Sequence, residues 1–184
     1  MLNSDLKAEL ERLHEASFGW ALHCCQRNHA QAEEVLQTVY LKILQGKACY
    51  RSESSVKTWL FAVIRKTASS ERRKHLLHAL GLIVGRQSEI RSHDRPDTEL
   101  ERSEMQQRFQ RILLRLPVRQ REVMHLVFYQ DLSLSEAAEV MNVSVGTARQ
   151  HYERGKKRVR ETLDREGIEY GVDWRRKENS GAVL

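Results

Sequence analysis

Proline is nearly absent from this chain, with two among 184 residues, and glycine occurs only nine times. So few turn-formers and helix-breakers argue against a many-stranded β fold. Alternating runs of β-branched residues are scarce as well, while Leu, Glu, Arg, Gln and Ala are frequent, which favours helices. No apolar run nears the roughly 20 residues that span a membrane. The first residues include Asp5, Glu9 and Glu11 and no hydrophobic segment, unlike a secretory leader. The three cysteines, Cys24, Cys25 and Cys49, are an odd number without ligand-like spacing, which implies a reduced, cytoplasmic setting. His23 beside Cys24 and Cys25 makes a poor metal site, because neighbours on a helix diverge by about 100°. Helix packing and surface placement are the plainer reading of that trio. The eight histidines are scattered, and no H-E-x-x-H, phosphate loop or Ser/His/Asp grouping occurs. These absences speak against an enzyme, a bound metal and a cofactor.

Positive charge is in excess. Lys and Arg number 31 against 25 Asp and Glu, a formal net charge of +6 with a sequence pI near 9.4. That balance favours a polyanionic partner, although a charged, solvated surface would carry the same composition. The helical reading is all-α. Residues 5–27 form one helix, with Leu6, Leu10, Leu13, Ala21 and Leu22 at helical spacing. A second helix covers about Ala30 to Leu44, with Ala32, Val35, Leu36, Val39, Ile43 and Leu44 as its apolar stripe and Gly46 as its stop. Ser55 caps a third, VKTWLFAVIRKTASSERRK, whose far end is basic. From His75 to Arg102 the pattern degrades into a polar linker containing Pro96. Spacing resumes near Glu99, with Met105, Phe109, Ile112, Leu113 and Leu116 in register before Pro117. Arg119 to Phe128 forms a further helix. The final stretch from Gly167 is polar and reads as weakly ordered.

The segment SLSEAAEVMNVSVGTARQHYERGKKRV, Ser133 to Val159, carries the clearest signal. Ser133 and Glu136 make an S-x-x-E capping box. Ala137, Ala138, Val140 and Met141 supply a small apolar face, and Asn142 sits where a left-handed turn residue is needed. Ser144 caps the next helix, and Val145, Ala148, Tyr152 and Val159 mark its buried stripe. Its other face bears Arg149, Gln150, Glu153, Arg154 and Lys157. This is a helix-turn-helix with a recognition helix suited to the DNA major groove. Arginine can bridge guanine O6 and N7, glutamine can pair with adenine, and Glu153 can accept from cytosine N4. Arg154, Lys156, Lys157, Arg158 and Arg160 suit phosphate contacts, which fix register without reading sequence.

The third helix interleaves Trp59 and Phe61 with Lys57, Arg65, Lys66, Arg72, Arg73 and Lys74. Rings can stack on unpaired bases while cations follow the backbone. Core packing of Trp59 with Val63, and a basic helix end facing its own dipole, are the competing explanation.

Taken together, these segments resemble the sigma-70 family. QAEEVLQTVYLKIL and SSVKTWLFAVIRKTASSERRK resemble region 2, and RILLRLPVRQREVMHLVFYQDLSLSEAAEVMNVSVGTARQHYERGKKRV resembles region 4. The chain has room for these two regions, the plan of the small extracytoplasmic-function (ECF) sigma factors. The resemblance implies an all-α protein of two small helical domains joined by a flexible linker. Residues 1–76 would be region 2, 77–101 the linker, 102–164 region 4, and 165–184 a tail. It implies a non-catalytic subunit that binds the clamp and flap of core RNA polymerase and promoter DNA, often with an anti-sigma inhibitor. Glu33, Glu34, Leu36 and Gln37 would meet the polymerase clamp. Lys57, Trp59, Phe61, Arg65 and Lys66 would line the melted −10 strand, beside a loop from Cys49 to Ser55 that shapes a base pocket. Arg149, Gln150, His151, Glu153, Arg154 and Lys157 would meet the −35 duplex. Gln31, Thr38, Ala62, Lys66 and His151 depart from residues common in the family. The alternative is a free-standing helix-turn-helix regulator.

Overall fold

A computed structural model describes residues 4–80 and 111–166. The linker and tail expected from the sequence, and Met105 and Phe109, lie almost wholly outside the described residues. The chain divides into two compact units, Met1–Pro96 and Asp97–Leu184. Among the described residues every regular element is helical.

Among its described residues the first unit holds four helices: α1 (Ser4–Arg12), α2 (His14–Cys24), α3 (His29–Leu44) and α4 (Val56–Ala79). The single helix expected over 5–27 is two. Leu13 leaves helical angles, with ψ near 1°, yet the bonds from Leu13 N to Glu9 O and from Ser17 N to Leu13 O persist at 3.0 and 2.8 Å. The break is therefore a kink within a nearly continuous ladder, which apolar spacing does not register. The helix ends at Cys24 because Gln26 and Arg27 both take positive φ, 55° and 66°. Asn28 then caps α3 by accepting from Gln31 N, a role its sequence position had not suggested.

Trp20 anchors this unit. It is fully buried, its indole N–H donates to Phe61 O at 3.0 Å, and its ring stacks on the Phe61 ring at 6.0 Å. Leu10, Leu13, Val35, Val39, Leu60 and Ile64 are buried in the same unit. Lys42 Nζ donates to Thr67 Oγ1 at 3.1 Å, a polar tie between α3 and α4. Gly46, at φ 69°, ends α3 as its position predicts, and Ser55 caps α4 by accepting from Thr58 N. The helix α4 runs to Ala79, past the expected stop near Lys74.

The described part of the second unit opens with helical residues 111–114, followed by α5 (Val118–Phe128), α6 (Leu134–Met141) and α7 (Val145–Arg165). The capping box on α6 is present in both directions: Glu136 N donates to Ser133 Oγ, and Ser133 N donates to Glu136 Oε2. Asn142 is left-handed, at φ 52° and ψ 55°. Around it Val143 N bonds to Ala138 O and Asn142 N to Glu139 O, the paired pattern of a Schellman end. Ser144 caps α7 through Thr147 N. Arg119 of α5 braces the turn, reaching Glu122 at 3.2 Å and Met141 O at 3.5 Å.

The buried stripe of α7 differs at one end from its expected form. Ala148, Tyr152 and Val159 are buried, joined by Gly155, Lys156 and Leu163. Val145 is 44% exposed, because the first residue of a helix stands ahead of the elements that cover its later turns. A Cβ at Gly155 would lie 3.1 Å from Met124 Cγ and 3.5 Å from Gln120 Cβ, so glycine permits the close approach of α7 to α5. Gly155→Val is expected to destabilise the unit by about 1–3 kcal/mol, the usual cost of overpacking, measured as a lowered urea midpoint at unchanged m-value.

Candidate nucleic-acid interface

Helix α7 turns its polar side to solvent. Arg149, Gln150, Glu153, Arg154 and Lys157 are all exposed and fall within an arc of about 140° at 100° per residue. The buried stripe occupies the opposite side. His151 is half-buried and lies on the flank of this arc. Three donor-rich side chains and two able to accept thus project together from a helix whose start is fixed by a cap and a left-handed turn. Such a surface can enter a major groove and hydrogen-bond base edges.

One residue assigned to phosphate is placed elsewhere. Lys156 is 7% exposed. Its Nζ donates to Glu153 Oε1 at 3.0 Å and lies 5.0 Å from the centre of the Tyr152 ring. Its position next to the stripe, not on the polar arc, draws it inward.

Helix α4 separates its expected strand-facing residues into two groups. Half-buried Trp59 lies on the same side of the helix as Lys66, Ser70 and Arg73, which are exposed. Arg65 is half-buried on the flank. Phe61 is fully buried against Trp20, so its ring belongs to the core and cannot line a DNA strand. Lys57 sits on that same side, with Nζ 5.7 Å from the Phe61 ring centre. Trp59 packs on Tyr50 at 5.4 Å, and Tyr50 donates its hydroxyl to Ser54 O at 2.6 Å. The ring pair thereby orders the loop before α4.

On α3, Glu33, Glu34 and Gln37 are exposed along one side. Leu36 is not among them; it is buried with Val35 and Val39, because its position falls on the core stripe. Leu44, expected in that stripe, is 69% exposed, and Leu41 is 54% exposed. Both continue the line of Glu33 and Gln37 at helical spacing. The sequence signal for them was available: Leu41 lies four residues beyond Gln37, and Leu44 three beyond Leu41, on the outer face.

A cavity of about 200 Å³ opens where α2 ends, lined by Cys24, Cys25, Glu34, Val35, Ala68 and Arg72 among others. Burial pushes the Cys25 thiol up to about 11, opposed by the Arg72 charge and reinforced by Glu34. Among the described residues no three His, Cys, Asp or Glu side chains are grouped to hold a metal ion, and no helix is long and apolar enough to cross a membrane.

Both units match known families. The description "Sigma-70 region 2" fits residues 10–76, and "Sigma-70, region 4" fits residues 106–159. The ECF RNA polymerase sigma factor SigX of Bacillus subtilis is 28% identical over 160 residues, covering 83% of this chain and 82% of the relative. The RNA polymerase sigma factor YlaC of the same organism is 24% identical over 133 residues, covering 72% and 77%. Among solved structures, the sigma factor RpoE of Bartonella quintana, in complex with the anti-sigma factor NepR, aligns with a TM-score of 0.66 at 23% identity. It covers 88% of this chain and 98% of that one, and shares the fold. The chain belongs to the sigma-70 family, in its extracytoplasmic-function subgroup. The free-standing regulator is thereby set aside, since the region 2 match accounts for the first unit.

The shift of Cys25 carries a test. Because folding raises its pKa from 9.0 to about 11, the unfolded thiol ionises first. The stability this thiol contributes is complete below about pH 9 and fades as pH rises through about 11. Cys25 should resist iodoacetamide at pH 9 in the folded chain and react in urea, while exposed Cys49 reacts in both, as peptide mass mapping would record.

Proposed function

We propose that this chain grips promoters at two points while attached to core RNA polymerase. The family membership makes it a promoter-directing sigma factor; the division of labour among its helices is our reading. In it, α7 reads the −35 duplex through Arg149, Gln150, Glu153, Arg154 and Lys157. The outward side of α4, with Trp59, Lys66 and Arg73, tracks the melted −10 strand, and the loop behind Tyr50 and Trp59 receives a base displaced from the stack. Arg65 flanks that path. The exposed side of α3 docks on polymerase through Glu33, Glu34 and Gln37, with Leu41 and Leu44 supplying the apolar contact that buried Leu36 cannot.

The observation that carries the reading is the split of α7: every expected base-reading side chain except half-buried His151 is exposed, and the stripe beneath is buried. No covalent step is involved. The binding energy of the two grips is spent on holding an open DNA state. An anti-sigma partner fits the same reading, since RpoE of Bartonella quintana, which shares the fold, was captured with the anti-sigma factor NepR. Run-off transcription with purified core on a promoter library tests the whole. Transcripts that start from a shared −35 and −10 pattern, and only when the chain is added, are the expected result.

Two substitutions separate the parts. Arg149→Ala should weaken −35 recognition by about 1–3 kcal/mol if its contact is bidentate, read as a lowered affinity of holoenzyme for duplexes carrying the element. Leu41→Glu should weaken assembly with core without lowering the thermal midpoint of the free chain. Leu36→Ala, by contrast, should cost about 2–5 kcal/mol of folding stability, seen in urea titration of the free chain.

A further inference from the structure

Glu153 is anomalous on a surface that meets DNA. A carboxylate among phosphates is repelled, and each such residue should weaken binding unless its charge is offset. The offset is built in. Lys156 lies one turn along the same helix, almost fully buried, with its ammonium over the Tyr152 ring, 5.0 Å from the centre, and 3.0 Å from Glu153 Oε1. Tyr152 is itself held by Phe128 of α5, ring centres 6.0 Å apart. The cation is thus fixed from below by the packing of the unit, while the carboxylate is 53% exposed above it.

We infer that Lys156 is a positioning residue for Glu153, and that the pair reads a cytosine. This rests on the assignment of α7 to the −35 duplex. Lys156 donates to one carboxylate oxygen and leaves the other, Oε2, to accept from the exocyclic amine of cytosine in the major groove. It neutralises the repulsion that Glu153 would otherwise bring and limits the rotamers that Glu153 can adopt. The consequence is sequence preference without a net gain in phosphate attraction. A lysine that touched phosphate directly would do the opposite: it would strengthen binding to every sequence and add about one to the salt slope.

The test is a double-mutant cycle on holoenzyme assembled from the full chain and core polymerase. Affinity is measured across duplexes randomised in the −35 element and at several salt concentrations. Wild-type holoenzyme should prefer C at one position by at least about fivefold. Glu153→Gln and Lys156→Met should each remove that preference, and Lys156→Arg should retain it. In the Glu153→Gln background, Lys156→Met should change neither affinity nor salt slope. A uniform loss of affinity in that background, with a salt slope smaller by about one, would make Lys156 a phosphate contact and overturn the inference. So would an unchanged sequence profile in Glu153→Gln. If Lys156→Met does not fold, the Glu153→Gln profile and the Lys156→Arg retention decide. Arg149→Ala serves as the reference: no effect on any duplex would overturn the −35 assignment itself, whereas a loss there with a negative Glu153 result overturns only the pairing.

Discussion

The approach of α7 to α5 at Gly155 is the constraint on which the second unit depends. Met124 occupies the space that a side chain there would need. Because the helix can come that close, Tyr152 reaches Phe128 and Val159 and Leu163 close over the core. The buried stripe then fixes the rotation of α7 about its own axis. A turn of one residue, about 100°, would carry Arg149 into the place of buried Ala148 and Tyr152 into that of half-buried His151. What the outward side can touch is therefore decided underneath it. The caps at Ser133 and Ser144 and the left-handed Asn142 set the angle of entry, and Arg119 ties that turn back to α5.

The first unit solves the same problem with an aromatic anchor. Trp20 bonds to the backbone of α4 at Phe61 and stacks on its ring, which sets the rotation of α4 and sends Phe61 inward. Trp59, two residues earlier, is on the outer side and takes Tyr50 as its partner. Two aromatics of one helix thus do unrelated things. Similar logic on α3 buries Leu36 and leaves Leu41 and Leu44 facing out. The outer side of α3 is acidic at its start and apolar at its end, a surface suited to a protein partner more than to a nucleic acid.

Where local chemistry decides the outcome, the sequence was readable. The capping box, Asn142, Gly46 and the serine caps of α4 and α7 act within four residues, and each stands as its residue type dictates. The inner face of α6 was equally plain, because four small apolar residues at helical spacing admit one orientation. Elements set by tertiary contact were not. The kink at Leu13 keeps its hydrogen bonds and so leaves the periodicity intact. Phe61 and Trp59 look alike in one dimension, and only Trp20, some 40 residues away, separates them. Lys156 reads as one more cation in a basic run, and its burial follows from the Tyr152 ring and from a position at the edge of the stripe. Val145 has the right residue type for a core but lies beyond the elements that would cover it.

The separation of buried and exposed residues along α7 has an evolutionary consequence. On the proposed assignment of α7 to the −35 duplex, stability resides in Ala148, Tyr152, Gly155, Val159 and Leu163, and base choice in the exposed residues of the opposite side. Exchanging Arg149 or Gln150 would then alter which promoters are used while leaving the melting behaviour of the domain alone, so a regulon could drift or be reassigned through single, nearly neutral steps. Lys156 is the exception, since it belongs to both sets. A lineage that changes Glu153 inherits a buried cation without its counter-charge and must replace both residues together. If the pair reads a base as inferred, promoter preference at that one position would be the slowest part of the helix to change.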